Sequence, residues 1–149
     1  MRLPVQVQAI LFRKIHGETQ YLLMKRIPGR GGEQEGFWQP VTGGLEEGET
    51  RIDALRREVH EETGIQNVIR IIPDVYYCEF QDFYRPEARQ RLIKEHVFGA
   101  EAAPNEKITI GWEHSEYRWC RFTTAMKLLK WMENKEALEK LNKILSAEQ

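Results

Sequence analysis

The stretch TRIDALRREVHEETG, residues 50–64, constrains the fold more than any other part of the chain. Thr50 and Asp53 make a capping-box-like start, and Gly64 stands where a left-handed C-terminal cap belongs. Ile52, Leu55 and Val59 recur at spacings of three and four, one apolar stripe on a helix of residues 50–63. A helix with one apolar stripe must bury it, and the segments around it read as strands. Val5, Val7 and Ala9 alternate with Gln6 and Gln8 before the apolar run AILF, and QYLLMKR forms a second strand after the turn HGET. IPGRGGEQEG is loop, and FWQPVTGG returns to strand character and is expected to stop at its glycine pair, with Pro40 at an edge or a bulge.

Further along, NVIRIIPDVYYCEF and RQRLIKEHVFGAEA read as two paired strands, and EYRWCRF as a short one. Two helices are expected to close the chain. The first covers residues 123–132; the second starts at Asn134 as N-cap and carries Ala137, Leu138, Leu141, Ile144 and Leu145 on one side. Strands on both sides of a central helix, with helices at the end, predict an α/β fold with a mixed sheet covered on both faces.

The 149 residues suit one domain, 1–149, with 41% hydrophobic and 30% charged residues, the balance of a soluble globular chain. A formal net charge of −1 gives no global field for a nucleic-acid polymer or an anionic membrane. No apolar run approaches bilayer length, and no cleavage site follows the N-terminal apolar run. Cys78 and Cys120 match no zinc spacing and read as two buried thiols of a reducing cytoplasm, while the four histidines have no metal-ligand spacing. Monomer and homodimer both remain open.

The helix carries an unfavourable feature. Glu58, Glu61 and Glu62 share a sector roughly 100° wide beside the apolar stripe, where desolvation is partial. Carboxylates crowded there raise one another's pKa unless a cation neutralises them. Arg57 is one guanidinium against three acids; it stands four residues before Glu61 and is expected to hold that carboxylate. An all-oxygen cluster favours a hard divalent ion, Mg²⁺ or Mn²⁺, over zinc.

The surroundings sharpen that reading. Gly43, Glu49, Arg57, Glu58, Val59, Glu61, Glu62, Gly64 and Ile65 form the pattern G-x5-E-x7-R-E-U-x-E-E-x-G-U, with U aliphatic. It resembles the Nudix box of the Nudix hydrolases at every fixed position. The resemblance implies an α/β/α sandwich with a mixed sheet, and a catalytic loop–helix–loop that binds Mg²⁺ or Mn²⁺. By similarity Glu58 and Glu62 are the main metal ligands, Glu61 shares ions when more than one is bound, Arg57 orients a glutamate of the box, and the carbonyl of Gly43 or Gly44 is a further ligand. The combination FWQ-x-V-T-G with a later E-H-x-x-Y-x-W is also similar to the subfamily of dATP and dihydroneopterin triphosphate pyrophosphohydrolases. That implies a (deoxy)nucleoside or pterin triphosphate, a small-molecule polyphosphate, cleaved to monophosphate and pyrophosphate. A dinucleoside polyphosphate hydrolase is the main alternative, with Tyr76, Tyr77, Phe80 and Tyr84 available to a second base; a non-catalytic nucleotide sensor is the remaining one.

Outside the box, the loop entering EYRW offers Glu113, or else Glu116, as a further catalytic carboxylate. Arg26, with Lys25 behind it, ends the second strand within reach of phosphates. Phe37 and Trp38 are candidates to stack on a base and Gln39 to read its edge, with at least one of the aromatics expected in the core. The glycine-rich loop 28–36 lacks the spacing and lysine of a phosphate loop and reads as a hairpin loop or a lid.

Overall fold

The computed structural model describes residues 2–28, 36–81 and 91–148. The expected loop over 29–35, the turn joining the two middle strands and Tyr84 lie outside them. Strand β1 (Arg2–Ile15) turns back through His16 and Gly17, both at positive φ, into β2 (Glu18–Arg26). The two pair only from Phe12↔Tyr21 to Ile15↔Glu18 and then fork. Into the fork runs the next segment. Its first part, β3 (Trp38–Gln39), pairs with β2, and its second, β4 (Val41–Glu46), pairs with β1. Pro40 sits at the changeover between partners, a place where a missing N–H breaks no ladder.

Helix α1 (Arg51–Thr63) follows, then β5 (Arg70–Gln81), β6 (Leu92–Glu101), β7 (His114–Cys120), α2 (Phe122–Leu128) and α3 (Met132–Ser146). Among the described residues the sheet has seven strands. It is mixed, because β1 runs parallel to β6 while its other pairings are antiparallel. The capping box of α1 is formed: Asp53 N donates to Thr50 Oγ1 at 3.1 Å and Thr50 N to Asp53 Oδ2 at 3.2 Å. Gly64 closes the helix at φ 79°, a conformation that favours glycine.

Side-chain alternation along β1 divides the core. Val7, Ala9 and Leu11 face α1 and pack with Leu55 and Val59; Ile10 and Phe12 face α2 and α3 and pack with Ala125, Leu138 and Leu141. Helices therefore cover both faces, giving the α/β/α sandwich expected from the box. None of the described helices is long and apolar enough to cross a membrane.

Five local expectations are corrected. Gly43 and Gly44 do not end a strand; they pair with Val7 and Gln6 inside β4. Helix α2 stops at Leu128, not at 132, because Leu129 turns extended, bridges to Trp38 and buries its side chain. Asn134 is not an N-cap, since α3 has already begun at Met132 behind Trp131, which makes no side-chain cap bond. Ile144 is 37% exposed at the edge of the apolar stripe, while Ala137, Leu138, Leu141 and Leu145 are buried. Of the two free thiols Cys120 is buried and Cys78 half-buried.

These caps separate cleanly in a urea titration. Thr50→Ala removes a formed cap and lowers stability by about 1 kcal/mol, whereas Asn134→Ala stays within about 0.5 kcal/mol of the parent. An equal loss at both positions would return Asn134 to a capping role.

Candidate active site

The box folds around one guanidinium. Arg57 Nε donates to Glu49 Oε2 at 2.8 Å and Nη2 to Glu49 Oε1 at 2.9 Å, a two-bond clasp. Nη2 also donates to the Gly44 carbonyl at 2.9 Å, and Nη1 to Glu58 Oε1 at 2.6 Å. Glu61 is 3.5 Å away with a side chain 55% exposed, so the expected Arg57–Glu61 pair is the weakest of these contacts. Arg57 holds the loop, the edge strand and the first acid in preference to the helix neighbour one turn on. Hydrogen bonds from Arg57, with one from the Glu46 amide, keep the Glu49 carboxyl down to about 2.

Glu58 is seated directly on the backbone of β4, and a β-carbon at position 43 would overlap its carboxyl group. Glycine at 43 is therefore the condition for the acid's position. Glu62, one turn further, is 8% exposed, and its Oε1 has no hydrogen-bond partner. Burial first, then the neighbouring Glu58 and the charge of Glu113, push the Glu62 carboxyl far up, against a smaller opposing pull from Arg26. Glu62 lies within hydrogen-bonding reach of Glu58, and in the absence of a cation that closeness favours its protonated form.

Both acids open onto a cleft of about 790 Å³. Gly43, Arg26, Glu113, Gln39 and Phe37 also line it, which brings most of the sequence candidates to one place. Arg26 pairs with Glu113 at 3.6 Å, and its buried Nε has no partner. Glu116 is exposed on β7 and outside the cleft lining, which favours Glu113 of the two loop acids. Gln39 is 7% exposed and its Nε2 lies 3.0 Å from His114 Nε2. Burial holds the His114 pKa down, so the neutral ring accepts from the amide. Gln39 thus has less capacity to read a base than its position in the sequence suggested.

Trp38 is the aromatic that belongs to the core. It packs on the α2/α3 side with Arg118 over its ring at 5.2 Å, and it does not line the cleft. Phe37 does, braced edge-on against Trp131 with ring centroids 6.1 Å apart. Lys25 and Glu61 are absent from the lining, Phe80 is part of it, and Tyr76 and Tyr77 border a separate, smaller pocket.

Several cleft residues were not legible as such. Glu95 is 6% exposed, Gln8 is 2% exposed, and with Gln6 they form the cleft floor. The signal available was the polar alternation Gln6–Gln8 in β1, which looks identical to a solvated strand face.

The donor set can be tested against a cation. Among the described residues no three acid, imidazole or thiol groups converge on an ion as they stand. The reason is visible: Glu58 has turned one oxygen onto Arg57, and Glu61 lies at the rim. The chemistry nonetheless fits a hard divalent ion, since the ligands are all oxygen and Glu62 presents a buried oxygen without a partner. Of the two glycine carbonyls that of Gly44 is committed to Arg57, leaving Gly43 as the backbone candidate.

The NUDIX domain family model matches residues 3–141. The chain is 31% identical over 144 residues to the dihydroneopterin triphosphate diphosphatase of Escherichia coli K12, covering 91% of this chain and 90% of that protein. It is 32% identical over 139 residues to an octanoyltransferase of Myxococcus xanthus, where the match spans 92% of the chain but 36% of the longer protein. Among solved structures, a Nudix hydrolase of Listeria monocytogenes superposes with a TM-score of 0.84 at 28% identity, covering 98% of this chain and 97% of that one.

Glu62→Gln tests the charge balance of the site. A carboxyl whose folded pKa is raised stabilises the fold below its ordinary value, about 4.3, and loses that contribution as pH rises toward the raised value. In EDTA at pH 7.5 the variant therefore melts at a higher temperature than the parent, and its advantage shrinks as pH falls toward 4.5. A parent that melts higher in EDTA at pH 7.5 would show that Glu62 is not strained.

Proposed function

The chain belongs to the Nudix hydrolase family, and from that premise we propose that it cleaves a (deoxy)nucleoside or pterin triphosphate to monophosphate and pyrophosphate. Members of the family act on phosphorus-containing acid anhydrides and generally need a divalent metal, usually Mg²⁺. The observation that carries the reading is the pair Glu58 and Glu62, brought by α1 and Gly43 to a cleft that also holds a cation, Arg26, and a third acid, Glu113. The likeness to a dihydroneopterin triphosphate diphosphatase over nine-tenths of both chains supports the triphosphate class.

In this reading Glu58, Glu62 and the Gly43 carbonyl would hold Mg²⁺ or Mn²⁺, and Glu61 at the rim would share any further ion. A bound ion supplies charge neutralisation for the phosphates and a more acidic water. The rest falls to the chain. Arg57 fixes Glu58 and the loop through Glu49, so the acids meet the phosphates pre-oriented. Arg26 exchanges its partner Glu113 for a phosphate oxygen, and Glu113 is thereby freed to take the proton of the attacking water. Phe37 and Phe80 supply apolar walls for the heterocycle. Direct attack by water requires no covalent enzyme intermediate.

The test compares dATP, dGTP, dihydroneopterin triphosphate and diadenosine tetraphosphate at equal concentration with Mg²⁺, scoring pyrophosphate release. Triphosphates are turned over with pyrophosphate as product, and Glu58→Gln or Glu62→Gln lowers kcat at least a hundredfold. Turnover that survives both changes would reject the assignment, and preference for the dinucleotide would move the protein to the alternative class.

A further inference from the structure

The floor of the cleft is a row of residues set by strand register. Cys78 of β5 pairs with Glu95 of β6, Glu95 with Gln6 of β1, and Gln6 with Gly44 of β4. The even-numbered face of β1 lies under α2 and α3 at Ile10 and Phe12, but at Gln6 and Gln8 it opens to the cleft. A carboxylate has been placed in that floor and surrounded by amides. Gln6 Nε2 donates to Glu95 Oε2, and Gln8 Nε2 donates to Glu95 Oε1 at 3.3 Å. The Cys78 thiol adds a weak contact to Oε1 at 3.7 Å.

This arrangement has a direction. Burial raises the Glu95 carboxyl above its ordinary value, and the bonds from Gln6, Cys78 and Gln8 pull it back toward the ionised form. As a carboxylate it accepts only, so it turns the nitrogens of both amides toward itself. Those donors are then spent. What the floor retains is acceptor capacity: the remaining lone pairs of Glu95, and Gln8 Oε1, which is buried and has no partner. A buried acceptor without a donor is costly, so the floor is built for a ligand that brings donors.

We infer that Glu95, steadied by Gln6 and Gln8, recognises the paired N–H and amino donors of a 2-amino-4-oxopyrimidine ring, the ring that guanine and pterins share. Its two oxygens match two adjacent donors in parallel. Adenine offers one amino donor beside an acceptor nitrogen, and that nitrogen would face the carboxylate. Phe80 and Ile93, paired one step along the same sheet and lining the cleft, flank the ring. The row places Glu95 two strands from Gly44, about 10 Å, so a sugar or a pterin side chain bridges the ring to the acids of α1. The assignment rests on the hydrolase reading for its site and adds to it the identity of the heterocycle.

Calorimetric binding of monophosphates separates this inference from the hydrolytic one, because it needs no turnover. GMP and a dihydroneopterin monophosphate bind the parent about tenfold or more tightly than AMP, with IMP, which lacks the 2-amino group, between them. Comparing the guanine and pterin ligands tells which source of the ring is preferred. In E95Q the advantage over AMP falls to within about threefold through weaker GMP and pterin binding, while AMP binds as well as or better than to the parent, since a carboxylate no longer faces its ring nitrogen. The parent comparison stands without any variant, so a poorly folding E95Q leaves a decisive result. AMP binding as tightly as GMP, or E95Q weakening both alike, overturns the assignment. Selective GMP binding without hydrolysis of any triphosphate would instead overturn the proposed reaction and leave this inference standing.

Discussion

The clasp between Arg57 and Glu49 is the interaction on which the rest of the site depends. Three parts of the chain meet at that guanidinium: the loop that ends at Glu49, the β4 edge through the Gly44 carbonyl, and the helix through Glu58. A lysine offers a point charge and no planar fork, so it could not bond all three at once. Loop residues lose backbone freedom when fixed, and a charge-assisted two-bond contact at the half-buried base of the site helps offset that. Because Arg57 faces Glu49 and Glu58, it does not neutralise Glu62, and the negative charge left over is what a divalent ion would meet.

The fold and the site share one strand. The odd positions of β1 hold α1 in place, and through α1 the acids; the even positions divide between core under α3 and the cleft floor. The fork between β1 and β2 lets β3 and β4 enter, and that entry gives α1 an edge strand on which Glu58 can rest. Removing the β-carbon at position 43 then lets the carboxyl approach the backbone closely. Packing and chemistry are thus set by the same register.

Local signals were read from the sequence successfully where the cause was local. The α1 caps, its apolar stripe and the acid spacing all operate within one or two helical turns, and all three are present. What failed depended on distant partners. Gln8 and Glu95 are 87 residues apart, and nothing near either one marks their meeting. Asn134 looked like a cap because its residue type favours caps, but the chain is already helical from Met132, behind Trp131. Trp38 and Phe37 are adjacent and chemically alike, and strand alternation sent one to the core and the other to the cleft.

Whether the acids of α1 hold a hard divalent ion against a polyphosphate is measured directly by the anomalous scattering of crystals soaked with Mn²⁺ and a non-hydrolysable triphosphate. The expected result is a peak between the carboxyl groups of Glu58 and Glu62 beside the Gly43 carbonyl, with phosphate oxygens in its coordination shell. A peak elsewhere, or none at these residues while the nucleotide is bound, would contradict it.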